Sequence, residues 1–232
     1  MKNTSKKILS LMLCMTILTL LVFSISGCGN VEKGPFVYVT IADEKGNAVV
    51  RYEKVSFTEN MTVDGALKAI HDAKFEGGAE KGYSSANTNY GLSLTKLWGI
   101  DNGGSYGYYV NNESPSSLAD TVKENDHIYA YIYTDTVTFS DTYSFFDTVA
   151  RTASVDEKIS LTLSYKGYDE SWQSVTLPVA DANILIDGKE TQLTTNEKGV
   201  VSLSFDKKGT YVVTATSESM TLVTPFIIIT VK

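Results

Sequence analysis

The stretch His127-Ile128-Tyr129-Ala130-Tyr131-Ile132-Tyr133 decides how the first half of the chain is read. Side chains on a strand alternate between faces. Ile128, Ala130 and Ile132 therefore share one face, and His127, Tyr129, Tyr131 and Tyr133 share the other. The apolar row needs a cover, and Thr62-Val63-Asp64-Gly65-Ala66-Leu67 opens one. Thr62 is an N-cap residue, and Asp64 sits in the first turn, where the helix dipole favours an acid. Val63, Ala66, Leu67 and Ile70 recur at helical spacing, which predicts an amphipathic helix to about Lys74, ended by Glu76-Gly77-Gly78. Working outward, 36–42 and 49–57 read as strands joined by the turn residues Asp43-Glu44-Lys45-Gly46-Asn47. Simple alternation places Val49, Arg51, Glu53, Val55 and Phe57 on one face of the second strand. Segment 82–90 reads as loop with a short strand, and 94–100 and 105–111 read as further strands. Asp101-Asn102-Gly103-Gly104 is a tight turn; it has oxygen ligands but lacks the spaced acids of a calcium loop.

Hairpin, helix, then more strands is the β-grasp order. Within it, Tyr106-Gly107-Tyr108-Tyr109-Val110-Asn111-Asn112, Ser117-Leu118-Ala119 and Glu124-Asn125-Asp126-His127-Ile128 follow the helix start. The block resembles the transcobalamin C-terminal-like domain, a β-grasp family, over residues 36–135. Tyr106 stands where Trp is common in that family. Asn112 and Asn125 stand where Gly is common, a mild change because Asn tolerates left-handed backbone. The resemblance implies cobalamin, another corrinoid or a different flat molecule as ligand. In the animal carriers this domain closes over a corrinoid held by a larger helical domain, which this chain lacks.

From Lys158 onward no helical period appears. Short strand candidates at 159–165, 173–177, 182–186, 200–205, 210–217 and 225–231 are separated by turns such as Asp187-Gly188 and Asn196-Glu197-Lys198-Gly199. This spacing predicts a β-sandwich. Thr195 to Gly199, Val201-Ser202-Leu203 and Gly209 to Ala215 resemble bacterial immunoglobulin-like modules. The expected fold class is therefore α+β, a β-grasp domain (36–135) followed by an all-β immunoglobulin-like sandwich (158–232), with 136–157 as a linker or transition.

The start of the chain is of a different kind. Lys2, Lys6 and Lys7 precede an apolar run from Ile8 to Ile25, which ends in Ile25-Ser26-Gly27-Cys28. A basic segment, an apolar stretch and small residues before a cut site describe an export signal. Ser-Gly-Cys resembles the lipobox of bacterial lipoproteins, in which the cysteine is lipidated and the chain is cut just before it. A plain spanning helix, which needs about 20 apolar residues, is the alternative. The reading is a signal peptide (1–27), lipidation on Cys28, and a short tether (28–35). That tether reaches only about 25 Å when extended, which would hold the first domain close to the membrane. Cys14 and Cys28 are the only cysteines, so the processed chain would carry no disulfide.

The net charge is −7, and loss of the three leader lysines would leave 17 basic residues against 27 acidic ones, or −10. This balance argues against nucleic acid, which needs a basic patch. No Gly-x-Ser-x-Gly elbow, His-Glu-x-x-His or phosphate loop occurs, so the chain does not read as an enzyme. Tyrosine combines a broad apolar face with a hydroxyl, so Tyr129, Tyr131 and Tyr133, joined by Tyr109 and Trp98, form the candidate ligand face. The same face would serve equally to pack on the second domain. His71 and His127 are candidate axial ligands for a corrinoid cobalt, although a lone histidine is more often a surface residue. No metal site is expected. The function expected is a lipid-anchored binding protein on the extracytoplasmic face of the cell membrane. It would capture a corrinoid or other small ligand, with a membrane transporter as recipient. The alternative is a structural or adhesive surface protein that binds a protein or glycan. Cys28→Ala is expected to abolish labelled-palmitate incorporation and to leave the leader attached, as read by intact mass. Equal labelling of both forms would remove the lipoprotein reading.

Overall fold

In the computed structural model, residues 34–232 are described; the leader, Cys14, Cys28 and most of the tether lie outside them. The first sheet is built around β1 (Phe36–Ala42) and β6 (His127–Ile132). These two run parallel, with Val39 opposite Ile128 and Ile41 opposite Ala130. β2 (Ala48–Ser56) pairs antiparallel with β1, and β5 (Tyr106–Val110) antiparallel with β6. The order is β2-β1-β6-β5. A parallel central pair needs a crossover between its strands, and this crossover carries helix α1 (Val63–Lys74).

Helix α1 forms where the sequence signals it. Thr62 Oγ1 accepts a hydrogen bond from the Gly65 N–H at 3.1 Å, and the Phe75 N–H closes the last turn on the His71 carbonyl. Val63, Ala66, Leu67 and Ile70 are buried against Val37, Val39 and Ile41 of β1 and Ile128, Ala130 and Ile132 of β6. A short helix, α2 (Gly78–Gly82), and a hairpin of β3 (Ser84–Thr88) with β4 (Gly91–Lys96) follow. Asp64 ties this hairpin to α1, accepting from Tyr83 Oη at 2.9 Å and Ser85 Oγ at 2.6 Å and pairing with Lys68 at 2.8 Å. Burial alone would raise the Asp64 carboxyl pKa, but these three partners outweigh it and hold the pKa below the usual value.

Two expectations are corrected in this half. Simple alternation fails on β2, where Val50 and Val55 are both buried while Val49 and Arg51 are exposed. The cause is irregular register: Val39 faces Glu53 but Ile41 faces Val50, and Tyr52 adopts φ +50. The extra residue turns the strand over between its ends. The strand expected at 94–100 lies earlier, at Gly91–Lys96.

The C-terminal half is all β, in two five-stranded sheets. One contains β7 (Thr142–Phe146), β9 (Ile159–Tyr168), β10 (Ser174–Pro178), β13 (Val200–Leu203) and β15 (Leu222–Val223). The other contains β8 (Ala150–Ala153), β11 (Asn183–Ile186), β12 (Lys189–Thr194), β14 (Gly209–Thr216) and β16 (Phe226–Val231). Ile159, Leu161 and Leu163 of β9 and Ile227, Ile229 and Val231 of β16 belong to one core between them. Segment 136–157 is therefore no linker: it supplies β7 and β8, one strand to each sheet. Its entrance is also tied down. Asp141, 8% exposed, accepts from the Thr134 N–H at 2.8 Å, the Thr134 hydroxyl at 2.7 Å and the Asp135 N–H at 2.8 Å.

Among the described residues no helix is long and apolar enough to cross a membrane. Thr62→Ala removes the cap of the single long helix of this region and is expected to cost about 1 kcal/mol in urea unfolding. Unchanged stability would mean that packing alone sets the helix start.

Candidate functional site

Tyr129 and Tyr131 project from β6 on the side away from α1, as alternation requires, and each is only 3% exposed. They lie in a cluster with Ala42, Tyr143, Val223 and Phe226, which joins the first sheet to strands β7, β15 and β16 of the C-terminal half. Tyr143 is the centre. Its ring stacks on Tyr109 at 3.7 Å and 9°, meets Tyr129 edge-on at 5.5 Å, and its hydroxyl donates to Asn112 Oδ1 at 2.8 Å. The Tyr129 hydroxyl donates to the Thr224 carbonyl at 2.7 Å. The Tyr131 ring lies across Gly107, where a Cβ would fall 2.1 Å from its Cζ. Any side chain there would displace the ring.

The sequence-predicted site residues thus divide. Tyr109, Tyr129, Tyr131 and Tyr133 are brought together, and this face is covered. Tyr133 is half-buried beside Phe139, with ring centres 5.6 Å apart. Trp98 is elsewhere. Its ring packs on Phe75 at 5.1 Å beside α1, and its backbone N–H donates to His71 Nε2 at 3.1 Å. The cavity lined by His127, Tyr129, Tyr143 and Phe226 measures about 10 Å³, room for one water at most. A corrinoid or other flat ligand laid on these tyrosines would have to displace Tyr143 and Phe226. The ligand face expected from the sequence is thus an inter-sheet core, because a second set of aromatics already fills it.

Both histidines are buried, contrary to the expected surface placement. His71 is 0% exposed. Its Nδ1 donates to the Leu67 carbonyl at 2.6 Å and its Nε2 accepts from Trp98, so both ring nitrogens are occupied. His127 Nε2 bonds Thr40 Oγ1 at 2.8 Å, and Thr40 Oγ1 also accepts from the Tyr52 N–H at 3.1 Å. Among the described residues no three His, Cys, Asp or Glu side chains gather to hold a metal. Burial raises the pKa values of the seam hydroxyls. Tyr109 is pushed up to about 12, by burial first and then by Tyr168, Tyr133 and Glu113 nearby. Tyr129 and Tyr143 are raised further, also chiefly by burial. These phenols stay neutral and serve packing and hydrogen bonding.

The alternation reading missed Tyr143, Val223 and Phe226, which cover the face. Tyr143-Ser144-Phe145-Phe146 carries a weak strand signal, but nothing local in it points to a partner on β6. Outside the seam, the aromatic side chains most open to a partner among the described residues are Tyr90 at 89%, Trp172 at 80%, Tyr168 at 66% and Phe139 at 53% exposure. All lie on turns or hairpin ends.

No protein-family model matches the chain, and no curated protein matches it in sequence. Solved structures aligning with it include one on Dscam isoform specificity, at 14% identity and TM-score 0.27, over 47% of this chain and 24% of its own. The N-terminal four Ig domains of Dscam1 isoform 4.4 align at 13% identity and TM-score 0.24, over 89% of this chain and 45% of theirs. The N-terminal Ig1-2 module of the Drosophila receptor protein tyrosine phosphatase DLAR aligns at 12% identity and TM-score 0.27, over 87% and 97%. The chain spans about a quarter of the length of the first of these. These neighbours contain Ig domains, and their TM-scores are too low to carry weight for fold or function.

His127 generates a pH prediction. Burial lowers its pKa from 6.5 to about 4, so the unfolded chain takes up the proton first as pH falls. The stability due to neutral His127 is complete above about pH 6.5 and is lost progressively toward pH 4. The loss amounts to roughly 3 kcal/mol. In urea unfolding, His127→Gln is expected to lose that much less than the parent over this window. Parallel pH profiles would contradict the assignment.

Proposed function

We propose that this chain is a lipid-anchored surface protein whose two β units act as one rigid, non-catalytic binding module. The partner is a protein or glycan met at the extracytoplasmic face. We read the first unit as a β-grasp domain and the second as an immunoglobulin-like sandwich. The parallel β1–β6 pair, flanked by β2 and β5 with α1 across one face, supports the first reading. The two stacked sheets support the second. The Ser26-Gly27-Cys28 motif supports the anchor.

The observation that carries this proposal is the sealed tyrosine face. It removes the surface best suited to a flat ligand, and with it the support for corrinoid capture. It also fixes the two units together, so that contacts must be made from outer loops. Those loops carry exposed aromatic side chains, the residue type that dominates binding hot spots. A rigid mount lowers the entropy lost when such side chains bind.

Adhesion of cells carrying the chain to glycan-coated and protein-coated surfaces tests the proposal. Replacing Tyr90, Phe139, Tyr168 and Trp172 together by alanine is expected to lower adhesion about tenfold with surface display unchanged, each being worth more than roughly 1 kcal/mol where it is a hot spot. Adhesion equal to that of cells lacking the chain would contradict the proposal.

A further inference from the structure

A cleft of about 500 Å³ opens between the β3–β4 hairpin and the 101–104 turn, within the roughly 300–1,000 Å³ typical of small-ligand sites. Its lining combines three kinds of group. Tyr90 presents an aromatic ring at 89% exposure from the hairpin tip. Thr88 and Ser93 bring hydroxyls, while the Thr95 hydroxyl is already bonded to Ser84 Oγ at 2.7 Å. Asp101, exposed, lines the other wall, and among the described residues its carboxylate takes part in no hydrogen bond or ion pair.

Both walls are braced before any ligand arrives. At the tip, the Tyr90 N–H donates to Thr88 Oγ1 at 3.0 Å, and Thr88 Oγ1 donates to the Gly91 carbonyl at 2.9 Å. The hairpin is buttressed from behind by Ser117 Oγ, which accepts from the Leu92 N–H at 3.0 Å. The opposite wall is held by the Tyr106 hydroxyl. It lies 3.1 Å from the Thr95 carbonyl and 2.9 Å from the Ile100 carbonyl, and it accepts from the Asn102 N–H at 3.1 Å. That one hydroxyl spans both walls. The Thr88–Ser93 contact inside the cleft is long, at 3.3 Å, and gives way readily to a better partner.

This donor set selects a ligand class. No lysine or arginine lines the cleft and Asp101 places a negative charge in it, so phosphates, carboxylates and anionic polymers are disfavoured. One ring does not make the aromatic cage that a quaternary ammonium requires. A single aromatic face beside hydroxyls and an unpaired carboxylate suits a ligand with a flat C–H face and adjacent hydroxyl donors. We propose that this cleft binds a neutral saccharide of the β-linked glucose or N-acetylglucosamine type. Tyr90 stacks on the pyranose C–H face, Asp101 accepts from a ring hydroxyl, and Thr88 and Ser93 complete the polar contacts. The proposal rests on the reading of the chain as a surface binding module.

The test is an NMR titration of the ¹⁵N-labelled full chain with cellotetraose and chitotetraose. Hyaluronan tetrasaccharide serves as the anionic probe and choline as the cationic one. Amide shifts are expected in 88–95 and 101–104 with a neutral tetrasaccharide, and none there with hyaluronan or choline. Tyr90→Ala is expected to weaken binding about tenfold and Asp101→Asn several-fold, with the remaining spectrum unchanged because both side chains are exposed. Three outcomes overturn the site: no shift with either neutral sugar, shifts unaffected by Tyr90→Ala, or a response to choline alone. Shifts confined to the Tyr168–Trp172 hairpin end would overturn this site while leaving the surface binding module standing. Adhesion by cells that does not depend on the chain or its exposed aromatic residues would instead remove that broader reading.

Discussion

β6 has no solvent face. Ile128, Ala130 and Ile132 pack beneath α1, and on the other side Tyr129 and Tyr131 pack against Tyr143, Val223 and Phe226. A full burial of one large aromatic side chain contributes on the order of 2 kcal/mol. Four such side chains meet at the seam, Tyr129, Tyr131, Tyr143 and Phe226. Their gross contribution is comparable with the net stability of a whole domain, about 5–15 kcal/mol. The seam therefore belongs to the core of both halves and is not a loose contact between them. Polar groups there are satisfied too: Tyr129 reaches Thr224, Tyr143 reaches Asn112, and Lys166 pairs with Glu113 at 2.6 Å.

This arrangement governs what the chain is able to recognise. Interfaces that move usually bury little and are polar; this one is aromatic and filled. The junction through Thr134, Asp135 and Asp141 is cross-bonded as well. With the inner face closed, the aromatic side chains left open lie at the rim, at the hairpin tip carrying Tyr90 and the hairpin end carrying Tyr168 and Trp172.

The parts of this fold that were legible in the sequence are those with a regular period. β1, α1 and β6 followed from alternation or helical spacing, and the two faces of β6 divided as their residues indicated. The two asparagines expected to tolerate left-handed backbone do adopt it. Asn112 and Asn125 occupy left-handed backbone, at φ +65 and +70, and Asn112 adds an acceptor for Tyr143 that glycine would lack. Illegible features were those set by distant partners. The turnover of β2 arises from irregular register at Tyr52, which no residue pattern announces. Strands β7, β8 and β15 are short and take their place from neighbours far along the chain. A row of tyrosines looks the same in sequence whether a ligand, a partner or the protein's own second core covers it. Here Tyr143 and Phe226 decide the matter, and both come from beyond the segment that suggested a site. The cleft at Tyr90 was hidden because 82–90 carries a weak strand signal and the next strand was expected only from Leu94, so the β3–β4 hairpin that forms one wall was not legible as a hairpin.

The stiffness of the described region depends on the two halves sharing one core. Scanning calorimetry of the chain beside its Tyr143→Ala form tests this most directly, because that ring touches both halves. The parent is expected to melt in a single transition with equal calorimetric and van't Hoff enthalpies. The variant, short of roughly 3–5 kcal/mol, is expected to melt at lower temperature or to separate into two transitions. Two independent transitions in the parent, with Tyr143→Ala shifting only the C-terminal one, would contradict the shared core.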